Sequence, residues 1–190
     1  MTVRPSLRPA YFDALYAQDA DPWCFTSSPY ERAKYDATIA ALPAPQFSLA
    51  FEVGCSIGVL TRRLADRCAR LLAVDVADAA LAQARAHCIG LDHVEIRRAR
   101  IPTDWPDGTF DLILLSEVLY YLSPDEIAET ALRTRDSLSS DGTVLLVHYI
   151  LATDYPCSGD AASELFIAKV GFLPTVQRRE AQYRLDLLRV

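Results

Sequence analysis

The stretch FSLAFEVGCSIG, from Phe47 to Gly58, decides how the chain is read. Phe47 to Val53 is a short apolar run that stops at Gly54, the pattern of a buried strand. Behind it, Val59 to Cys68 places Leu60, Leu64 and Cys68 at helical spacing. Gly54 permits a sharp turn with close backbone approach, and Gly58 lets the following helix lie near the strand. The glycine spacing is G-x-x-x-G. It is not the G-x-G-x-x-G of nicotinamide dinucleotide sites, and there is no G-x-x-x-x-G-K-[ST] phosphate loop. Two glycines alone fit a plain strand-to-helix turn as well as a binding loop.

Outward from this unit the alternation continues. Leu71 to Val76 predicts a second strand, Asp78 to Cys88 an Ala-rich helix, and His93 to Arg97 a third strand. Phe110 to Leu115 (FDLILL) is the strongest strand and reads as buried on both faces. Pro124 to Leu138 predicts a helix with Ser123 as N-cap and Pro124 at its first position. Gly142 to Ile150 reads as a strand, and Gly159 to Val170 as a helix capped by Gly171. Phe172 to Arg178 and Tyr183 to Val190 alternate polar and apolar residues around Glu180, an antiparallel pair at a sheet edge. Upstream, Tyr30 to Leu42 reads as a helix stopped before Pro43 and Pro45. The residues before it are turn-rich and aromatic, with Tyr11, Phe12, Tyr16, Trp23, Phe25 and Tyr30. The whole predicts an α/β fold: a single doubly wound, mostly parallel, seven-stranded sheet whose last strand is antiparallel.

Composition narrows the function. The 190 residues carry 19 Lys+Arg against 25 Asp+Glu, a net charge of −6 that argues against a nucleic-acid partner. No run of about 18 apolar residues is present, so no membrane span is expected, and the first residues show no apolar signal-peptide core. The five cysteines (Cys24, Cys55, Cys68, Cys88, Cys157) form no C-x-x-C and suggest reduced thiols in a cytoplasmic protein. The acids and histidines lack a clustered ligand spacing, so no metal is expected.

In an open α/β sheet, ligands bind outside the carboxyl ends of the strands. The second strand ends in Ala73-Val74-Asp75, and Asp75 follows the first glycine by 21 residues. An acid there is placed to accept hydrogen bonds from both hydroxyls of a ribose.

With Asp75 the motifs EVGCSIGVLT, LLAVD and WPDGTFDLILLSEVLYYL stand in the order and spacing of class I S-adenosylmethionine (SAM)-dependent methyltransferases, which the chain resembles from about Phe47 to Ile150. The resemblance implies a Rossmann-like methyltransferase fold, SAM as cofactor and S-adenosylhomocysteine (SAH) as its product. Gly54, Cys55 and Gly58 would wrap the methionine part, Asp75 would hold the ribose, Glu52 would meet the charged end through water, and Val76 would be a further cofactor-binding residue. Asp21-Pro22-Trp23, Ser28-Pro29-Tyr30-Glu31 and Ser116 to Leu122 resemble the narrower NodS type, which N-methylates a deacetylated chitooligosaccharide. That likeness divides the chain into an N-terminal lid or helical cap, 1–45, and a SAM-binding domain, 46–190. Trp23, Tyr30 and Lys34 would belong to the lid, although the aromatics fit core packing too, and Lys34 fits a solvated lysine. One departure stands out: where many relatives have an adenine-binding Asp, this chain has Arg100, which accepts no hydrogen bond. Ile101 would pack on the adenine, with Ser116 and Glu117 beyond it.

For catalysis the candidates are Glu117 after the fourth strand, Tyr120 beside it, and His148 near the end of the fifth. Tyr121 is a further candidate for the acceptor cleft, and both tyrosines fit the core equally. An amine acceptor needs its lone pair free, so a carboxylate or imidazole could take the proton; alternatively, alignment alone suffices. His148 also fits a buried structural histidine. Asp154, Asp160 and Glu164 could attract a cationic or amino-sugar substrate, although each fits a solvated loop acid better. The expected activity is methyl transfer to an amine of a small molecule or amino sugar; O-methylation of a hydroxylated metabolite and non-catalytic SAM binding are the alternatives.

Overall fold

The computed structural model describes residues 4–190, which fall into two compact units. One spans Arg8–Arg100; the other comprises Ile101–Val190 and the N-terminal residues up to Leu7.

The Arg8–Arg100 unit runs α1 (Pro9–Gln18), α2 (Pro29–Ala41), β1 (Ala50–Val53), α3 (Val59–Ala65), β2 (Leu71–Asp75), α4 (Asp78–His87) and β3 (Val94–Arg98). Its strands are parallel in the order β3-β2-β1, with Ala50 opposite Leu71 and Leu71 opposite Val94. Residues 50–53 and 71–74 are all buried, which explains their unbroken apolar pattern. Helix α1 was not foreseen, because its only buried residue is Tyr16. That ring packs with Ile57, Ala77 and Ala80, while Phe12, Trp23, Phe25 and Val59 close over them. Two short motifs upstream prove to be structural punctuation. The Asp21 carboxylate accepts from Phe25 N at 2.7 Å and Thr26 N at 2.9 Å, fixing the turn that carries Trp23. Ser28 caps α2 by accepting from Glu31 N at 3.3 Å, with Pro29 in the first turn.

Phe47 does not extend β1 as the apolar run suggested. It forms an isolated parallel bridge with Cys68, and its carbonyl accepts from Ala69 N at 2.7 Å. That pairing draws Arg67 and Cys68 out of the predicted helix, which ends at Ala65. Arg67 completes the junction by donating to the carbonyls of Ile39, Ala44 and Pro45, satisfying the end of α2 and the proline turn.

The other unit runs β4 (Phe110–Ser116), α5 (Pro124–Ser137), β5 (Leu138–Tyr149), α6 (Gly159–Val170), β6 (Leu173–Arg179) and β7 (Tyr183–Arg189), in the strand order β4-β5-β7-β6. β4 and β5 are parallel, and β7 runs antiparallel to both β5 and β6. Among the described residues this makes seven strands, mostly parallel, with the last one reversed, as the sequence predicts. β5 begins at Leu138 instead of Gly142, because Leu138 already pairs with Phe110 across an irregularity in the ladder. Ser123 and Ser158 cap α5 and α6, and Gly171, at φ 79°, ends α6.

The hairpin is fastened to α6 by charge. Arg184, 6% exposed, donates to both oxygens of Asp186 (2.8 and 2.9 Å), and its Nη1 reaches Glu164 at 2.7 Å and Asp160 at 3.3 Å. Asp160 also holds Arg179 bidentately at 2.5 and 2.7 Å, and that bond pulls its carboxyl pKa down. Asp160 and Glu164 are thus committed to arginines, which corrects the expectation that they recruit a cationic substrate. Asp186 is 1% exposed, so removing its partner strands a buried charge. Arg184→Ala should cost about 3–5 kcal/mol in urea unfolding, whereas replacing Arg184 and Asp186 together with leucines should cost far less.

Candidate functional site

The loop leaving β1 is built from backbone that ordinary residues avoid. Gly54, Ser56 and Gly58 have φ of 78°, 50° and 83°. For Ser56, a left-handed conformation costs about 1–2 kcal/mol, which three hydrogen bonds nearby offset. Its N–H donates to Asp75 Oδ2 at 2.9 Å, its hydroxyl bonds to the Tyr16 hydroxyl, and Gly58 N donates to Cys55 O at 2.9 Å. Gly54 N and Cys55 N both donate to Val74 O at 2.8 and 2.9 Å, tying the loop to β2. Asp75 Oδ1 accepts from Ala77 N at 3.0 Å. The carboxylate keeps some exposure, yet lost hydration lifts its pKa, with the Ala77 and Ser56 N–H groups opposing the rise. Gly58 is a close-approach glycine: a Cβ there would lie 2.8 Å from Ala84 Cα on α4.

Below this loop sits Glu52, 1% exposed, whose Oε2 has no hydrogen-bond partner. Burial pushes its pKa up to about 7; the Thr61 hydroxyl opposes the shift and the Asp75 charge adds to it. Cys55 turns its thiol into the core beside Ala73 and Leu81, and burial raises its pKa too. It therefore offers the loop its backbone, and its side chain serves packing. The sign of the Glu52 effect follows from linkage. With a folded pKa near 7 against an ordinary 4.5, holding the charge costs nothing at low pH and most above pH 7. Glu52→Gln should therefore stabilise the fold by about 3 kcal/mol at pH 8.5 but by only about 1 kcal/mol at pH 5, read from urea unfolding at both values.

The N-terminal candidates fall in the same unit. Trp23 stacks on Phe25 at 5.5 Å and meets Tyr16 edge-on at 5.8 Å. Lys34 is 2% exposed, so it is not the solvated lysine that a lone basic residue suggests. Its Nζ pairs with Glu31 at 2.9 Å and lies 5.1 Å from the Tyr30 ring centre. Val76 is half-buried, and its carbonyl accepts from Arg98 Nε at 3.1 Å. Arg100 is exposed.

Ile101, Ser116, Glu117, Tyr120 and His148 fall in the other unit. Ile101 and Ser116 are buried. Glu117 follows β4 at φ 56°, and its Oε2 accepts from the Tyr120 hydroxyl at 2.6 Å and from Tyr149 N at 2.8 Å. Tyr120 is buried, and burial first, then the Glu117 charge, pushes its pKa well up. It stays a donor and positions Glu117. His148 is fully buried; its Nε2 accepts from Leu119 N at 3.2 Å, leaving the Nδ1 proton toward Ser163 Oγ at 3.3 Å. With its lone pair spent on the backbone, this imidazole fits the structural role and not that of a base.

Several participants escaped the sequence reading: Thr61 beside Glu52, Tyr16 beneath Ser56, Glu31 against Lys34, and Tyr155 against the Tyr120 and Tyr121 rings. For Glu31 a signal existed, since it stands three positions after Ser28 and three before Lys34. Among the described residues no group of three His, Cys, Asp or Glu is placed to hold a metal, and no helix is long and apolar enough to cross a membrane.

Residues 14–149 match the family model described as Nodulation protein S (NodS). The chain belongs to the NodS family. Nodulation protein S of Rhizobium tropici is 34% identical over 110 residues, 57% of this chain and 45% of the relative. The NodS-family chain spans about half the length of the curated relatives it matches. Among solved structures, a putative methyltransferase from Pseudomonas syringae is 32% identical with a TM-score of 0.75, covering 84% of this chain and 97% of its own. The N-methyltransferase NodS of Bradyrhizobium japonicum in complex with SAH shares the fold, at a TM-score of 0.84 and 23% identity over 95% and 96% of the two chains.

Proposed function

We propose that this NodS-family chain is a SAM-dependent methyltransferase acting on an amine of a small molecule or saccharide. The observation that carries the reading is the loop after β1, where left-handed residues are locked by Asp75 above a buried Glu52 oxygen without a partner. Those features fit a ligand with a hydroxylated ring and a cationic end. Asp75 and Val76 would take the ribose, Gly54 and Gly58 with the Cys55 backbone the methionine part, and Glu52 the ammonium end through water. Arg100 would flank the adenine, with Ile101 and Ser116. Residues 1–45 would serve as lid and 46–190 as the SAM-binding domain, with Trp23, Tyr30 and Lys34 on the lid side. Amine methylation draws support from the B. japonicum relative, an N-methyltransferase. The free cysteines suit a reducing cytoplasm.

When bound, SAM supplies a methyl group on a positively charged sulfur. The protein's part is then mainly alignment. Glu117, fixed by Tyr120 and Tyr149, would orient the acceptor nitrogen and offset charge developing there; no step requires His148.

SAH should raise the melting temperature and NAD should not; equal shifts, or none, sink the assignment. Asp75→Ala should weaken SAH binding by about 1.5–3 kcal/mol in calorimetry. Wild-type affinity should climb between pH 6 and 8, because a cationic ligand end favours the ionised form of Glu52, whose pKa is about 7. Parallel turnover assays with amine and hydroxyl acceptors separate N- from O-methylation.

If Glu117 orients the acceptor, Glu117→Gln should raise the acceptor KM with little change in the shape of the pH–rate profile. A large kcat deficit that disappears at alkaline pH would assign it proton transfer instead.

A further inference from the structure

The unit that carries Glu117 also carries three tyrosines in mutual contact, and they are held by the N-terminal residues. Tyr155 stacks on Tyr120 at 5.2 Å and 8°, and meets Tyr121 edge-on at 4.7 Å and 70°. Tyr120 is buried, while Tyr121 and Tyr155 are half-buried. Both tyrosines belong to segments outside the long helices and the strands. Tyr121 ends the short 3-10 turn Leu119–Tyr121, and Tyr155 lies in the loop between β5 and α6.

Residues Arg4 to Leu7 bridge those two loops. Arg4 Nη1 donates to Asp154 O at 3.1 Å and Tyr155 O at 3.4 Å. Leu7 N donates to Tyr121 O at 2.9 Å, and Ser6 Oγ accepts from Ser123 N at 2.6 Å. Cys157 adds a third tie, its N–H reaching Tyr120 O at 3.4 Å. A four-residue strap thus grips the main chain on both sides of the tyrosine pair, across sequence separations of 150 and 117 residues.

We infer that Arg4–Leu7 is a positioning strap that sets acceptor affinity by holding Tyr121 and Tyr155 in their edge-to-face arrangement. The inference rests on the reading of this unit as the acceptor side. Paired aromatic faces suit the C–H face of a sugar ring or an alkylammonium group. Such a platform binds well only if its loops are ordered beforehand, because loops ordered on binding subtract from affinity. The strap's bonds described above all fall within its own unit, which is the one that carries Glu117.

The test compares wild type, Arg4→Ala/Ser6→Ala and Arg4→Lys. SAH affinity is measured by calorimetry, and kcat and KM with a chitooligosaccharide deacetylated at its terminal sugar and with simple amine and hydroxyl acceptors. The double variant should keep its SAH affinity and kcat within about twofold while its acceptor KM rises about five- to tenfold. Arg4→Lys, which still donates to a carbonyl, should restore most of the KM. An unchanged KM, a fall confined to kcat, an equal loss of SAH affinity, or a lysine variant no better than the alanine one overturns the strap's role. A wild type that binds SAH but methylates none of these acceptors overturns the acceptor reading and the strap with it; one that does not bind SAH overturns the proposed function itself.

Discussion

Everything in the Arg8–Arg100 unit that bears on chemistry hangs on one carboxylate, that of Asp75. It sits at the last residue of β2 and reaches sideways to the N–H of Ser56 and forward to the N–H of Ala77. Those two bonds set the path of the chain on both sides. They stabilise a left-handed serine that would otherwise relax, and so they shape the loop between Gly54 and Gly58. A carboxylate suits this place, since each of its two oxygens takes one of the two donors, which lie in different directions. The same charge reaches Glu52 below, helping to keep that group near its midpoint at neutral pH. Loop shape and loop charge are therefore properties of one interaction.

The other unit repeats the device. Glu117 follows β4, adopts a left-handed φ itself, and accepts from Tyr149 N at the end of β5. In each case a carboxylate at one strand's end takes a backbone N–H from the neighbouring strand's end or from the loop that leaves it. Parallel strands finish without a hairpin to join them, so their carboxyl ends leave donors that a side chain must satisfy. The fold answers that requirement with acids, and the acids collect where ligands of parallel sheets bind.

How much of this was legible depends on how local the cause is. The turn at Gly54–Gly58, the strand end at Asp75, the Ser123 cap and the Gly171 stop are each written within a few residues, and the structure has these local features where the sequence puts them. The bridge from Phe47 to Cys68, the Arg67 ties and the Arg184 network join residues far apart in sequence, and no periodicity announces them. Helix α1 was missed because a helix that buries one tyrosine leaves no apolar stripe. The histidine was ambiguous for a similar reason. His148 looks the same in sequence whether its ring faces a cleft or Leu119 N, and only packing separates the two.

The contact between Gly58 and α4 has a consequence for how this chain can vary. What a side chain at position 58 would strike is chiefly the Cα of Ala84, so trimming residue 84 creates no room. The two positions cannot exchange bulk, as neighbours in a core often do. Any replacement at 58 must translate a whole helix, and with it the packing of Ala80 and Leu81 beneath Tyr16 and Cys55. A mutational library over this loop should therefore find position 58 nearly silent for compensation, a site where one substitution is not rescued by a second but only by a re-spaced layer.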